Sequence, residues 1–228
     1  MNPALLRLLQ ICDPALPVGG FSHSAGLETY VQSGIVKDVA TAKAFVTGML
    51  SQNIHYTDAA VVSLVFDAIS ANDTDEIKQL DDLCTAVKLP KEIRLASQKL
   101  GARLIKLFQP LCNDHWLNRY AAAIRSKHLH GHYCIAFGII AHALQITKAD
   151  ALTGFYYNAA AGFVTNSVKL VPLSQQAGQE LLFSLQPLIT ELVQKNEQPD
   201  KELLGLCCPG FDIRCMQHEQ LYSRLYMS

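Results

Sequence analysis

Apolar residues recur along most of this chain at steps of three and four, which is the period of one buried face of an α-helix. Two clear stripes are Val39, Ala42, Phe45, Val46, Met49, Leu50, Ile54 and, later, Ala177, Leu181, Leu182, Leu185, Ile189, Leu192. No run of strict apolar and polar alternation between turn residues predicts a strand. The pattern therefore predicts an all-α protein.

The same periodicity predicts about ten helices in a single-domain bundle. Their expected ranges are 3–12, 22–33, 38–54, 57–71, 74–87, 91–109, 116–126, 132–145, 149–170 and 174–195. Asp73, followed three residues later by Glu76, is typical of a helix start. Two segments with Pro and Gly break the pattern, residues 13–20 and residues 196–228. We therefore expect a helical domain over 1–195 and a non-helical C-terminal tail over 196–228, packed on that domain or on a partner.

Composition narrows the class of protein. The 228 residues suffice for one hydrophobic core, and 50% of them are hydrophobic while only 17% are charged, which indicates surfaces buried against partners and a homodimer. Nineteen basic against 20 acidic residues leave no excess for tracking a nucleic-acid backbone. No apolar stretch approaches the ~20 residues that cross a bilayer. Seven scattered cysteines without an export signal predict reduced thiols and a cytoplasmic protein.

Common catalytic motifs are missing or incomplete. No Gly-Lys dipeptide occurs, so the phosphate-binding loop of nucleotide hydrolases is absent. The segment from Gly20 to Ser24 imitates a nucleophile elbow, but it has Ser where a second Gly is needed and no strand precedes it. His218 and Glu219 begin like a zinc-protease motif, yet Tyr222 stands at the second ligand position. We expect no catalytic residues and no tightly bound cofactor.

Two groups of residues raise the question of a metal site. One contains His128, His130, His132 and His142; the other contains Cys207, Cys208, Cys215 and His218. In the first group, helix capping or hydrogen bonding in the core is the simpler interpretation. In the second, Cys215 and His218 are one helical turn apart and are the candidates for a transient metal site, with packed free thiols as the alternative.

The segment after the first predicted helix contains several residues that restrict or extend the allowed backbone angles. Pro14 and Pro17 fix backbone angles, Gly19 and Gly20 permit angles closed to other residues, and Ser22 is a typical helix N-cap. It is either a rigid connection or a place where another backbone approaches closely.

Five blocks, in order along the chain, resemble the UreF family of urease accessory proteins. They are Ala15–Ser22 with Ser24, Gly26, Leu27 and Glu28; Arg94, Ala96, Ser97 and Gly101–Leu104; Gly131, His132 and Ala136–Gly138; Val168–Leu173 with Gln175; and Pro209, Asp212, Ile213, Met216, His218, Glu219, Leu221–Tyr226 and Ser228. The departures are mild: Cys134 stands where the family usually has Pro, and Tyr226 and Met227 replace a commoner Phe and Arg.

The resemblance implies an all-helical, homodimeric scaffold that binds the UreD/UreH accessory protein and the GTPase UreG, regulates that GTPase, and helps to insert nickel into apo-urease. Nickel is then handled by the complex, and whether it contacts this chain in transit stays open. Two alternatives come from other classes: a stand-alone helical nickel-binding or storage protein, and a helical hydrolase using Ser22, His23 and Glu28.

The resemblance also supplies candidate partner-binding residues, and which surface meets which partner stays open. They are Pro17, Gly19, Gly20, Phe21, Glu28, Lys169, Tyr222, Arg224, Leu225 and Tyr226. Arg224 is the foremost of them, because Arg and aromatic residues dominate interface hot spots, and the alternative is a tail packed on its own bundle. Lys169 either faces the GTPase or completes the dipole at the end of its helix.

Overall fold

The computed structural model describes residues 3–206 and 208–228, and within them all regular secondary structure is helical. The α-helices are α1 (Pro3–Ile11), α2 (Leu27–Gln32), α3 (Val39–Gly48), α4 (Ala60–Ser70), α5 (Thr74–Val87), α6 (Lys91–Phe108), α7 (His115–Arg125), α8 (Tyr133–Ala143), α9 (Lys148–Leu170), α10 (Gln175–Ser184), α11 (Gln186–Asn196) and α12 (Pro209–His218). A π-helix spans Met49–Ala59, and short 3₁₀ turns span Gly20–Ser22 and Lys201–Leu203. The predicted all-α bundle is confirmed.

Helix α8 lies at the centre of this bundle. Every residue from Cys134 to Ala141 is buried, and α8 packs against α4, α5, α6, α7 and α9. A helix that is apolar on all sides is stable only when neighbours cover it all round. Gly101 lets α6 come very close, because a Cβ there would lie 2.1 Å from the carbonyl oxygen of Gly131 at the entry to α8.

The two helices predicted at 38–54 and 57–71 form one continuous helical run. The π-helix Met49–Ala59 joins α3 directly to α4, and its residue His55 is buried, with Nδ1 2.9 Å from the hydroxyl of Tyr156 on α9. Asn196, the last residue of α11, donates to that hydroxyl and to the His55 carbonyl. The predicted interruption was wrong because these buried contacts hold the run together.

Two other predicted helices end or begin elsewhere because of Pro and Gly. The range 174–195 divides into α10 and α11, since Pro187 lies in the first turn of α11. The range 22–33 shortens to α2, because Gly26 takes a left-handed φ of 78° immediately before it.

The C-terminal tail is not wholly non-helical, and that part of the prediction was wrong. Pro209, within this predicted break in the helical pattern, lies in the first turn of α12, where its missing amide costs no hydrogen bond. Helix α12 packs against α2 and α6. Across residues 3–206 and 208–228, no helix is both long enough and apolar enough to span a bilayer.

Candidate functional site

The last seven residues, 222–228, lie along α2 and the segment before it, and we call them the C-terminal strap. The amide of Met227 donates to the Ser22 carbonyl at 2.8 Å, and the amide and hydroxyl of Ser24 donate to the Ser228 carbonyl oxygen at 2.6 and 2.8 Å. His23 Nδ1 lies 2.7 Å from the Ser228 hydroxyl. The strap is thus hydrogen-bonded to the end of the segment whose Pro and Gly residues the sequence analysis singled out.

Glu28 anchors the middle of the strap from inside the protein. Its side chain is buried, with the residue only 4% exposed. Oε1 accepts from the Leu225 amide at 2.7 Å, and Oε2 accepts from the Tyr226 amide at 3.1 Å. Glu28, predicted to bind a partner, therefore contacts the strap of its own chain.

Glu28 belongs to a cluster of charged and polar groups that we call the carboxylate clamp, formed by Glu28, Glu92, His218 and Arg224. His218 is fully buried, with Nε2 3.1 Å from Glu28 Oε2 and Nδ1 2.8 Å from Glu92 Oε2. Arg224 Nη1 donates to Glu92 Oε1 at 2.7 Å. The clamp therefore connects α2, α6, α12 and the strap.

The strap presents some of its predicted partner-binding side chains outward and buries another. Tyr222 is fully exposed and Leu225 is 70% exposed. The Arg224 side chain is 38% exposed in spite of its ion pair. Tyr226 is buried, where the loss of solvent and the nearby Glu28 raise its pKa. The exposed side chains of Tyr222 and Leu225 thus lie on either side of the partly exposed Arg224 in the sequence.

The predicted residues of the N-terminal segment lie in the loop that precedes α2. The carbonyl of Pro17 accepts from Arg103 Nε of α6 at 2.8 Å. Gly19 has a φ of 92°, and no atom lies within 4 Å of a Cβ placed on Gly19 or Gly20. The backbone of Phe21 lies in the 3₁₀ turn, while its side chain falls outside the described part of the chain.

A cavity of about 350 Å³ adjoins the strap and this loop. Gly20, Lys169 and Ser228 are among its lining residues, so the structure brings parts of three sequence blocks to one place. Lys169 is exposed in the last turn of α9, a position compatible with both of its predicted roles.

A buried ion pair forms part of the same cavity wall. Lys88 Nζ donates to Asp58 Oδ2 at 2.6 Å, and both side chains are almost buried. Burial alone favours the neutral forms, but the attraction between the two groups outweighs it, lowering the pKa of Asp58 and raising that of Lys88. Both groups therefore stay charged at neutral pH.

The residues proposed as metal ligands have other partners or lack a third ligand. Both ring nitrogens of His218 contact carboxylates, and burial raises the pKa of the Cys215 thiol, which disfavours the thiolate that binds metals. Within residues 3–206 and 208–228, no three His, Cys, Asp or Glu side chains are placed to hold a metal ion. Cys207, one of the other thiols considered, lies outside these residues.

The contacts of His132 agree with the simpler interpretation, a histidine that is hydrogen-bonded in the core. It is fully buried, with Nδ1 3.1 Å from the Ser97 hydroxyl and Nε2 2.9 Å from the Thr85 hydroxyl. Burial, together with the nearby Lys88 charge, lowers its pKa to about 4. It is a neutral histidine that joins α5, α6 and α8.

The sequence analysis did not identify Glu92, and it considered His218 only as a candidate metal ligand. The two are separated by 126 residues along the chain, and the family block on α6 begins only at Arg94, so it does not include Glu92. The one local signal was the spacing of His218 from Cys215, which shows that they share a helix face but not what that face contacts.

Comparisons with known proteins agree on one family. The UreF family model matches residues 36–186. The urease accessory protein UreF of Actinobacillus pleuropneumoniae serotype 5b (strain L20) is 48% identical over 221 residues, covering 97% of both chains. UreF of Haemophilus influenzae (strain PittGG) is 47% identical, over 97% of this chain and 94% of its own. UreF of Bacillus sp. (strain TB-90) is 35% identical, over 98% and 99%.

Proposed function

Because the chain belongs to the UreF family of urease accessory proteins, we propose that it acts in urease maturation as a non-catalytic scaffold for nickel insertion. It joins the UreD/UreH accessory protein and the GTPase UreG to apo-urease in the cytoplasm and regulates that GTPase. Nickel is cargo of the complex rather than a resident cofactor of this chain.

The strap is the observation that carries this proposal. Tyr222 and Leu225 are exposed on either side of Arg224 in the sequence, and the Arg224 side chain is itself 38% exposed. Interface hot spots are enriched in Tyr and Arg, and they work best when they are held in place before binding. The carboxylate clamp holds these side chains on the bundle, so we assign the strap as a docking surface for UreG or UreD/UreH.

The proposed homodimer is supported by α1. Leu5, Leu6 and Leu9 on this helix are each between 54% and 61% exposed, an apolar face unusual for a monomer with so few charged residues. A second copy of the chain is the occupant we propose for it, since two such faces can cover one another around a twofold axis.

The stand-alone nickel-storage alternative needs several ligands in one place. The described residues bring no such group together, and both nitrogens of His218 already contact carboxylates. Equilibrium dialysis of the isolated protein with nickel separates the two functions: saturable tight binding would favour storage.

Co-purification tests the scaffold proposal. Tagged protein should recover UreD/UreH, UreG and apo-urease from cells that express all of them, and it should restore urease activity in a strain lacking its own UreF. Arg224→Ala should weaken partner binding by about 2 to 4 kcal/mol while sparing the fold. Arg125→Ala, at an exposed arginine at the end of α7, is the matched control. Full binding and activation by Arg224→Ala would refute the docking role of the strap.

A further inference from the structure

Two buried cysteines meet between α5 and α8. The sulfur atoms of Cys84 on α5 and Cys134 on α8 lie 3.6 Å apart, and both thiols are free. A disulfide bond is about 2.05 Å long, so the two sulfurs have to approach by roughly 1.5 Å to form one. Rotation of a cysteine side chain by about 30° moves its sulfur by about 0.9 Å, so one such rotation at each cysteine is large enough to cover the gap.

The ion pair of Asp58 and Lys88 adjoins this pair of thiols. Burial opposes ionisation of Asp58, but the charge of Lys88 and several hydrogen bonds, one of them from the Cys134 thiol, lower its pKa. An ionised carboxylate that accepts from a thiol can take up the thiol proton, and a nearby ammonium group stabilises the thiolate that is left. The surroundings of Cys134 therefore contain both groups that assist formation of a thiolate.

The cavity of about 350 Å³ comes within one side chain of the thiols, because Asp58 and Lys88 are part of its lining. Hydrogen peroxide is little larger than water, so a cavity of this volume can admit it. Burial raises the pKa of Cys134 well above its usual value, and the charge of Lys88 only partly opposes that rise. Since the thiolate fraction is small, oxidation should be slow and should need an excess of peroxide.

We propose that Cys84 and Cys134 are an oxidisable dithiol, which hydrogen peroxide converts to a disulfide between α5 and α8. The Cys134 thiolate attacks one peroxide oxygen and breaks the O–O bond, which gives a sulfenic acid and a hydroxide that becomes water with the thiol proton. The Cys84 sulfur then attacks the sulfenic sulfur, so the S–S bond forms and a second water leaves. The two thiols lose two electrons and two protons in total, and one peroxide gains them.

Peptide mapping of the full-length, folded protein tests this site. The protein is reduced, freed of reductant and treated with hydrogen peroxide, while circular dichroism confirms that it stays helical. Remaining thiols are alkylated, and the protein is digested and analysed by mass spectrometry without reductant. Cys84→Ala and Cys134→Ala are treated in parallel, and Cys112→Ala, at a buried cysteine beyond the end of α6, is the matched control.

Wild type and Cys112→Ala should each lose two free thiols and yield a peptide that links Cys84 to Cys134, and dithiothreitol should reverse both changes. The linked peptide should be lost in Cys84→Ala and in Cys134→Ala. The proposal is overturned if folded wild type gives no such peptide, if the link forms only in urea, or if Cys134 is oxidised to a sulfinic acid without it. Because the wild-type peptide map decides the question, a variant that fails to fold does not remove the test.

Discussion

Replacing Glu28 should release the strap without unfolding the bundle. The two bonds from the Leu225 and Tyr226 amides end on a buried carboxylate, and a hydrogen bond to a charged group is worth about 1.5 to 3 kcal/mol. Glu28→Ala removes both bonds and leaves His218 with one carboxylate. The docked strap should therefore lose at least about 3 kcal/mol of local stability, which corresponds to a roughly 100-fold rise in amide exchange.

Hydrogen exchange followed by mass spectrometry or NMR measures this directly at residues 222–228. Glu28→Gln should give a smaller rise, because its amide oxygen can still accept from one of the two amides. Glu219→Ala is the exposed control. If exchange at Leu225 and Tyr226 stays within twofold of wild type in Glu28→Ala, the anchor role is refuted. If the amides of α8 become exposed equally, Glu28 supports the whole bundle rather than the strap.

Three further outcomes test the packing, the titration and the assembly. Gly101→Ala places a Cβ against the Gly131 carbonyl and should lower the unfolding free energy by about 3 kcal/mol in urea melts, whereas Gly162→Ala, with open space around it, should not. Burial lowers the pKa of His132 to about 4, so between pH 6.5 and 4 the unfolded chain takes up a proton that the folded protein does not. The free energy of unfolding should therefore fall by up to about 1.4 kcal/mol per pH unit on acidification, and this slope should be smaller in His132→Gln. Leu6→Glu should convert a dimer to a monomer in sedimentation equilibrium, and an unchanged mass would exclude α1 from the interface.

Local signals predicted the helices well where one residue decides the boundary. Asp73 accepts from the amides of Asp75 and Glu76 at 3.0 and 2.9 Å, and α5 begins at Thr74, as the sequence predicts. An N-cap depends on neighbours within one turn, so the sequence contains the whole interaction. The all-α class is predictable for the same reason, since periodicity is a local property.

Features that depend on distant residues could not be predicted in this way. The π-helix Met49–Ala59 is held by Tyr156 and Asn196, which lie about a hundred or more residues further along the chain. Pro209 was difficult for a different reason. A proline interrupts a helix when it lies in the helix interior, but it is favoured in the first turn, and the flanking structure decides which position it takes.

The anchoring of the strap by Glu28 bears on the docking role that we propose for it. A carboxylate as deeply buried as Glu28 is costly unless hydrogen bonds satisfy it, and the strap amides supply two of them. The strap is therefore held against its own helical bundle in the absence of a partner, so Tyr222 and Leu225 project from an ordered backbone. Because side-chain and loop ordering is part of the free-energy cost of association, such preorganisation would strengthen the proposed partner binding without adding a contact. A residue such as Glu28 can thus be required for partner binding while it touches only its own chain.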